Sequence, residues 1–340
     1  MRKTFLFIHR WLGIVFGFFI FVVCLTGAVL TFQSEIVRWL NSDLYHVSVP
    51  AGAKHLSDKE LAARVLAQLD KGQTITFIQV SDKPGETAQA NIAGMGRRNL
   101  FVNSYTGEVL GYPRYTKFFD TVKSLHRWLL NKPDNPHQGS LSVGRVVVGL
   151  TAIAMSLILL TGIYLWWPKS LKMLRSRLTV STSKGLRRFV YDSHVSLGIY
   201  ACAFLLLMSL TGPTWSFTWY KSAAQTVLAK QDGQREDVQK HGEQRQGTGK
   251  ESHLANEMRH GQPQANVSQR PEDVEVKRLS AGERQGGDGF RMLIASLHFG
   301  GWAGWLSKVI YLLAALIGAT LPLSGFYMWW KRTHASKAHR

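Results

Sequence analysis

Four long stretches without a charged side chain decide what this chain of 340 residues can fold into. Trp11 to Phe32 and Val146 to Trp167 run for 22 residues each, Val195 to Tyr220 for 26, and Val309 to Trp330 for 22. A hydrocarbon layer about 30 Å thick is crossed by about 20 residues of helix, so each block is long enough to span one. The intervals between them are very polar, which is why the mean hydropathy of the whole chain is only -0.06.

A net charge of +19 with a pI near 10.1 would usually point to nucleic acid. Its placement says otherwise. Lys169, Lys172, Arg175, Arg177, Lys184, Arg187 and Arg188 crowd the interval between blocks two and three against a single acid, Asp192. The ends add Arg2, Lys3 and Arg10, then Lys331, Arg332, Lys337 and Arg340, with no acid. Gln33 to Ser142 is nearly balanced at 13 basic and 10 acidic residues, and Lys221 to Arg291 at 12 and 11. The positive-inside rule therefore places both termini and the middle loop in the cytoplasm and the two long intervals outside. Membrane lipid is the partner this charge serves, and nucleic acid is excluded. The first block is too long for a signal peptide and no clean small-x-small cleavage site follows it, so it reads as an uncleaved anchor. Cys24 and Cys202 both lie inside blocks, which rules out an external disulfide framework, and no C-x-x-C-H offers covalent heme attachment.

Each block ends in the same small motif: Thr26-Gly27, Thr161-Gly162, Thr211-Gly212 and Ser324-Gly325. Small residues there let helices approach closely. Blocks two and four share Thr161-Gly-Ile-Tyr-Leu-Trp-Trp and Ser324-Gly-Phe-Tyr-Met-Trp-Trp, while His9 and His194 each precede their Thr-Gly by 17 residues. The chain reads as a duplicated unit of helix, external segment and helix, with a pseudo-two-fold axis along the membrane normal. The expected fold is an all-α membrane bundle of four transmembrane helices with a small external α+β domain.

In order, this gives helix one (1–33), the external domain (34–124), an external amphipathic segment with helix two (125–168), a basic cytoplasmic loop (169–193), helix three (194–220), a polar external loop (221–290), an external segment with helix four (291–331) and a cytoplasmic tail (332–340). Within the external domain, Ser57 with Glu60 forms a capping box that starts a helix running to about Leu69. Strand patterns follow at Thr74 to Val80, Ala88 to Ala93 and Asn99 to Asn103, and the last turns at Tyr105-Thr-Gly-Glu into Val109-Leu110. The interval from about Gln225 to Gly289, rich in Gln, Gly and charge, predicts mostly disorder.

Four of the 12 histidines occupy equivalent places in the repeat. His9 and His194 stand at the cytoplasmic mouths of helices one and three, and His126 and His298 stand outside, before helices two and four. In a two-fold bundle each pair meets at one depth, which suits the two axial positions of a heme iron, one heme near each leaflet. Arg10 and Arg127 adjoin these histidines and can pair with propionates, as can the free N–H groups that start helices one and three. Trp11, Trp128, Phe299 and Trp302 offer flat faces to a porphyrin. A single histidine at a membrane boundary is ordinarily an interfacial residue, and for the two arginines headgroup contact competes with this reading. Neither pair has a nearby thiolate or carboxylate to complete a zinc or copper site.

His9-Arg-Trp-Leu-Gly, Leu125-His-Arg-Trp, Thr161-Gly-Ile-Tyr-Leu-Trp-Trp-Pro, Leu297-His-Phe-Gly and the external Tyr105-Thr-Gly-Glu-Val-Leu-Gly together resemble the PepSY-associated transmembrane family. The resemblance covers nearly everything except Gln225 to Gly289, where a second external domain is replaced by the polar loop. It implies an iron-regulated inner-membrane protein similar to di-heme siderophore reductases, with a PepSY-like external domain, two b-type hemes and His9, His126, His194 and His298 as iron ligands. The expected activity is an electron conduit that takes electrons from a donor not identified by the sequence and reduces a ferric siderophore or other ferric chelate outside. Two readings from other classes stay open: a non-enzymatic regulator whose PepSY-like domain binds a protease or peptide, and a permease for the chelate.

Overall fold

The structure, a computed structural model, describes residues 1–49, 52, 54–70, 72–81, 83–93, 99–134, 140–228, 270–279 and 289–335. Along the chain come α1 (Arg2–Leu30), α2 (Gln33–Leu40), α3 (Ser42–Tyr45), α4 (Asp58–Gln68), β1 (Ile75–Ser81), β2 (Ala88–Ile92), β3 (Asn99–Val102), β4 (Val109–Gly111) and α5 (Thr116–Trp128). They are followed by α6 (Val143–Trp166), α7 (Leu171–Arg177), α8 (Leu186–Thr211), α9 (218–228), β5 (Glu275–Leu279), α10 (Gly289–Phe299) and α11 (Gly304–Ala335). These elements form two compact units, a helical unit (Met1–Gln33, Lys117–Gln234, Gly287–Arg340) and a sheet unit (Ser34–Thr116, Arg235–Gly286).

In the helical unit, α1, α6, α8 and α11 are each long and apolar enough to cross a membrane. α1 packs on α6 and α11, and α8 packs on the same two, so the four close a ring with α1 and α8 at opposite corners. The interior carries many small and hydroxylated residues beside larger apolar ones such as Ile20, Leu159 and Leu205. Ser156 donates to Ser209 at 2.9 Å, both buried, and a Cβ on Gly318 would come within 2.8 Å of Leu205 and 3.0 Å of Cys24. Large apolar side chains such as Val15, Phe18 and Leu150 point outward. Helices in lipid associate through such close contacts, because lipid is as apolar as their own side chains.

In the sheet unit the strand order is β4-β3-β2-β1-β5, antiparallel except for the β1–β5 pair. The capping box is present: Ser57 Oγ accepts from the Glu60 N–H, and Glu60 Oε2 accepts from the Ser57 N–H. It starts α4, whose Leu61, Ala62 and Val65 pack on Ile75, Ile78, Val80 and Ala90. The observed strands agree with the sequence patterns to within a residue or two.

Most of the interval from about Gln225 to Gly289, expected to be largely disordered, lies outside the described residues (229–269 and 280–288); of the rest, 225–228 continue α9 and β5 is an edge strand. Val276 faces Ile78 across parallel pairing, Val274 joins the core, and Lys277 lies over the Phe77 ring at 5.2 Å, so a short charged segment gains its order from a strand already formed. One expectation needs correction, that for the helix starts. α1 begins at Arg2 and α8 at Leu186, so the free N–H groups lie seven to eight residues, about 10–12 Å, before His9 and His194 rather than at them. α8 tolerates charge there because Arg188 pairs with Asp192 at i,i+4, 2.8 Å apart. At its other end α8 stops at Thr211, where Pro213 imposes a 3-10 turn over Gly212–Trp215.

Candidate functional site

Both histidine pairs singled out in the sequence meet in space. The His9 and His194 rings stand 6.3 Å apart, centre to centre, with their planes at 84°. His126 and His298 stand 6.4 Å apart at 66°. The first pair closes between α1 and α8, the opposite corners of the ring. The second comes from the shorter helices α5 and α10, whose histidines bond α1 and α8 respectively.

Every one of these rings uses Nδ1 on a neighbouring helix in the same way. His9 Nδ1 lies 3.0 Å from the Ile158 carbonyl and 3.1 Å from Thr161 Oγ1. His126 Nδ1 lies 3.0 Å from both the Val23 carbonyl and Thr26 Oγ1. His194 Nδ1 meets Ser324 Oγ at 2.8 Å, with a backbone bond at Leu321. His298 Nδ1 meets Thr211 Oγ1 at 2.9 Å, with a backbone bond at Met208. A carbonyl only accepts, so Nδ1 carries the proton and Nε2 carries the lone pair. That is the arrangement of a metal-ligating histidine, whose second nitrogen donates to a carbonyl that fixes tautomer and ring direction. Burial holds His126 and His298 below the usual imidazole range, against the backbone bonds that raise them; the neighbouring His126 ring lowers His298 further, and Arg127 adds a smaller effect on both, so both are neutral at neutral pH, the form that binds a metal.

The spacing also suits a metal. An imidazole nitrogen binds first-row ions at about 2.0–2.1 Å, which puts the ion about 3.2 Å from the ring centre and two opposed rings about 6.4 Å apart. Among the described residues no cluster of three or more His, Cys, Asp or Glu side chains is placed to hold an ion. Two imidazoles alone suit an iron whose other four ligands come from a tetrapyrrole. Arg10 Nε, beside His9 in α1, and Trp166 Nε1, one turn beyond the Gly162 that faces His9 in α6, are buried without a hydrogen-bond partner. Two unsatisfied donors suit the two carboxylates of such a group.

The remaining candidates are distributed unevenly. Arg127 lies over the buried Trp128 ring at 4.7 Å, beside the second pair. Arg10 lies 5.7 Å over Trp11, whose ring is exposed. Trp302 is also exposed and hydrogen-bonds Tyr311. No ring contact ties Trp11 or Trp302 to a histidine pair among the described residues. Instead Trp215 and Phe299 flank His298 at 4.8 and 5.3 Å. Trp215 is held there by Arg145, a buried residue of α6 that donates to the carbonyls of Trp215, Ser216 and Ser140. Sequence reasoning missed Trp215, Trp166 and the ring-contacting role of the four hydroxyls. The available signal was that the Thr/Ser-Gly motifs and the repeat histidines are equal in number.

The sequence profile of the family described as PepSY-associated TM region matches residues 6–332, and the chain belongs to that family. No curated protein matches the chain.

Proposed function

From this family membership and the geometry of the two pairs, we propose that the protein is a di-heme b-type cytochrome of the bacterial inner membrane that reduces ferric siderophores on the external side. His9 and His194 would hold an inner heme, and His126 and His298 an outer one. The observation that carries the reading is the pair of ring separations, 6.3 and 6.4 Å, each with Nδ1 engaged and Nε2 available. Bound heme would supply reversible one-electron chemistry at potentials the surrounding residues adjust.

The chain's own residues hold, orient and insulate. His126 and His298 are neutral, and the Nδ1 contacts fix the direction of all four rings. Arg10 Nε and Trp166 Nε1 would donate to the propionates of an inner heme, and Arg127 would serve those of an outer one. Trp128, Trp215 and Phe299 line the outer site with flat apolar faces. By the charge rule the outer pair stands on the external side, where a hydrophilic chelate arrives without entering lipid. Hard oxygen chelators hold ferric iron far more tightly than ferrous, so one electron per iron frees the metal and leaves the chelator intact. An electron donor on the side of the basic loop must supply that electron. The sheet unit, PepSY-like on this reading, stands outside as well.

The test is stopped-flow reoxidation of dithionite-reduced protein in oriented proteoliposomes, with excess reductant removed and a ferric chelate added on the external side. His126→Ala or His298→Ala should abolish reoxidation by the chelate while the inner heme remains reducible. Reoxidation of either variant at the wild-type rate would exclude this exit route.

A further inference from the structure

We infer that the four Thr/Ser-Gly dipeptides are seats for the iron-ligating histidines, positioning each ring and setting the potential of its iron, rather than helix-packing contacts alone. This rests on the di-heme reading and adds to it the residues that act through the ligands. The four seats share one register. The backbone partner of each ring always lies three residues before the hydroxyl: the carbonyls of Val23 before Thr26 and Ile158 before Thr161 stand 3.0 Å from Nδ1, and Met208 before Thr211 and Leu321 before Ser324 bond the other two rings. Each hydroxyl also reaches the carbonyl four residues back, at 2.7 Å for Val22, 2.8 Å for Leu157, 2.7 Å for Leu207 and 3.1 Å for Thr320. With its own hydrogen given to the helix, the hydroxyl oxygen accepts from Nδ1–H, which is shared between two acceptors.

The glycine completes the seat. Glycine weakens a helix interior, and none of these four adopts a positive φ that would demand it. What lies over each is the imidazole edge. A Cβ would meet His126 Cε1 at 3.2 Å from Gly27, His9 Cε1 at 3.3 Å from Gly162, His194 Cε1 at 3.6 Å from Gly325 and His298 Cε1 at 3.7 Å from Gly212. For Gly27, Gly162 and Gly325 every atom within 4 Å of that position belongs to the histidine; Gly212 alone also meets Ala152. A packing motif would instead place another helix against these positions. Each iron thus has one tight seat, from the first half of the chain, and one looser seat, from the second.

Two acceptors on Nδ1–H raise the basicity of Nε2 and favour the ferric state. Removing a seat hydroxyl should therefore raise the midpoint potential of one iron only. The experiment is an optical redox titration with ferric low-spin EPR on purified full-length protein, for wild type, Thr161→Val, Thr26→Val, Thr161→Ser, Gly162→Ala and Gly325→Ala. Thr161→Val should raise the potential of the heme that His9→Ala removes, and Thr26→Val that of the other. Thr161→Ser should restore the wild-type value, since Ser324 already fills one seat. Gly162→Ala should change the EPR signal of the inner iron, and Gly325→Ala should not. Where Thr161→Val does not fold, Ser324→Ala, smaller by one atom, must raise the potential of the same iron. Two bound hemes whose potentials stay put in the hydroxyl variants, or move together, would overturn the seats and leave the di-heme reading intact. A wild-type chain that takes up no heme overturns both.

Discussion

The sheet unit buries Leu61, Val65, Ile78 and Val102 almost completely, as a domain in water must, whereas the helical unit turns Val15, Phe18 and Leu150 outward and keeps Thr26, Ser156, Thr161, Ser209 and Thr211 inside. The inversion follows from solvent. Water rewards burial of apolar surface, while lipid does not distinguish Leu on the outside from Leu on the inside. A polar interior in the helical unit is therefore available for purposes other than stability, and the four histidines with their hydroxyl partners occupy it. The sheet unit spends its interior on its own folding.

The largest effect that bears on this contrast is a charge in the sheet core. Ile78→Asp buries a carboxylate among apolar residues, which costs several kcal/mol, enough to unfold the unit. Limited proteolysis should show the sheet unit cleaved while the Soret band keeps its position and height; loss of both together would break the separation of roles. A milder pair of substitutions sharpens it. Leu61→Ala removes a methylene cluster from a core that water would otherwise solvate and should cost about 2–5 kcal/mol. Leu205→Ala, equally buried in the helical unit, loses packing but little transfer free energy, so its cost in detergent denaturation should be clearly smaller. Equal costs would contradict the solvent argument.

Smaller again is Gly300→Ala. Gly300 sits in the left-handed region at φ +68° between α10 and α11, and a Cβ there would come within 2.7 Å of the Tyr311 ring. The backbone strain is roughly 1–2 kcal/mol. It falls two residues from His298, so on the proposed di-heme reading the outer pair should lose heme on warming before the inner one, measured as a biphasic bleaching absent from the wild type. Deleting Gln234 to Gln269 should have the smallest effect. Val274 and Val276, which join the sheet core, are retained, so spectrum and melting should be unchanged.

These elements also show what a sequence can reveal. The spans were legible because a run of about 20 uncharged residues has few soluble alternatives, and α4 because Ser57 and Glu60 satisfy each other locally. β5 was not, since its order depends on pairing Glu275 beside Phe77, a contact far apart in sequence, and its own residues look like solvated loop. The start of α8 was hidden by Arg187, Arg188 and Asp192, whose charges resemble a loop until the Arg188–Asp192 pair is seen. The histidines were found by their repeat spacing, but spacing alone does not say what touches them. Thus Trp215 escaped notice, and the Thr/Ser-Gly motifs were read as packing until the Nδ1 contacts were visible.

Heme content per chain, measured by pyridine hemochrome on purified wild type and on the four single histidine-to-alanine variants, tests the central claim most directly. The account predicts two b-type hemes in the wild type and one in each variant, with His9→Ala and His194→Ala retaining the same heme by midpoint potential and His126→Ala and His298→Ala retaining the other. A colourless wild-type protein, or a pairing in which His9→Ala and His194→Ala retain different hemes, would contradict it.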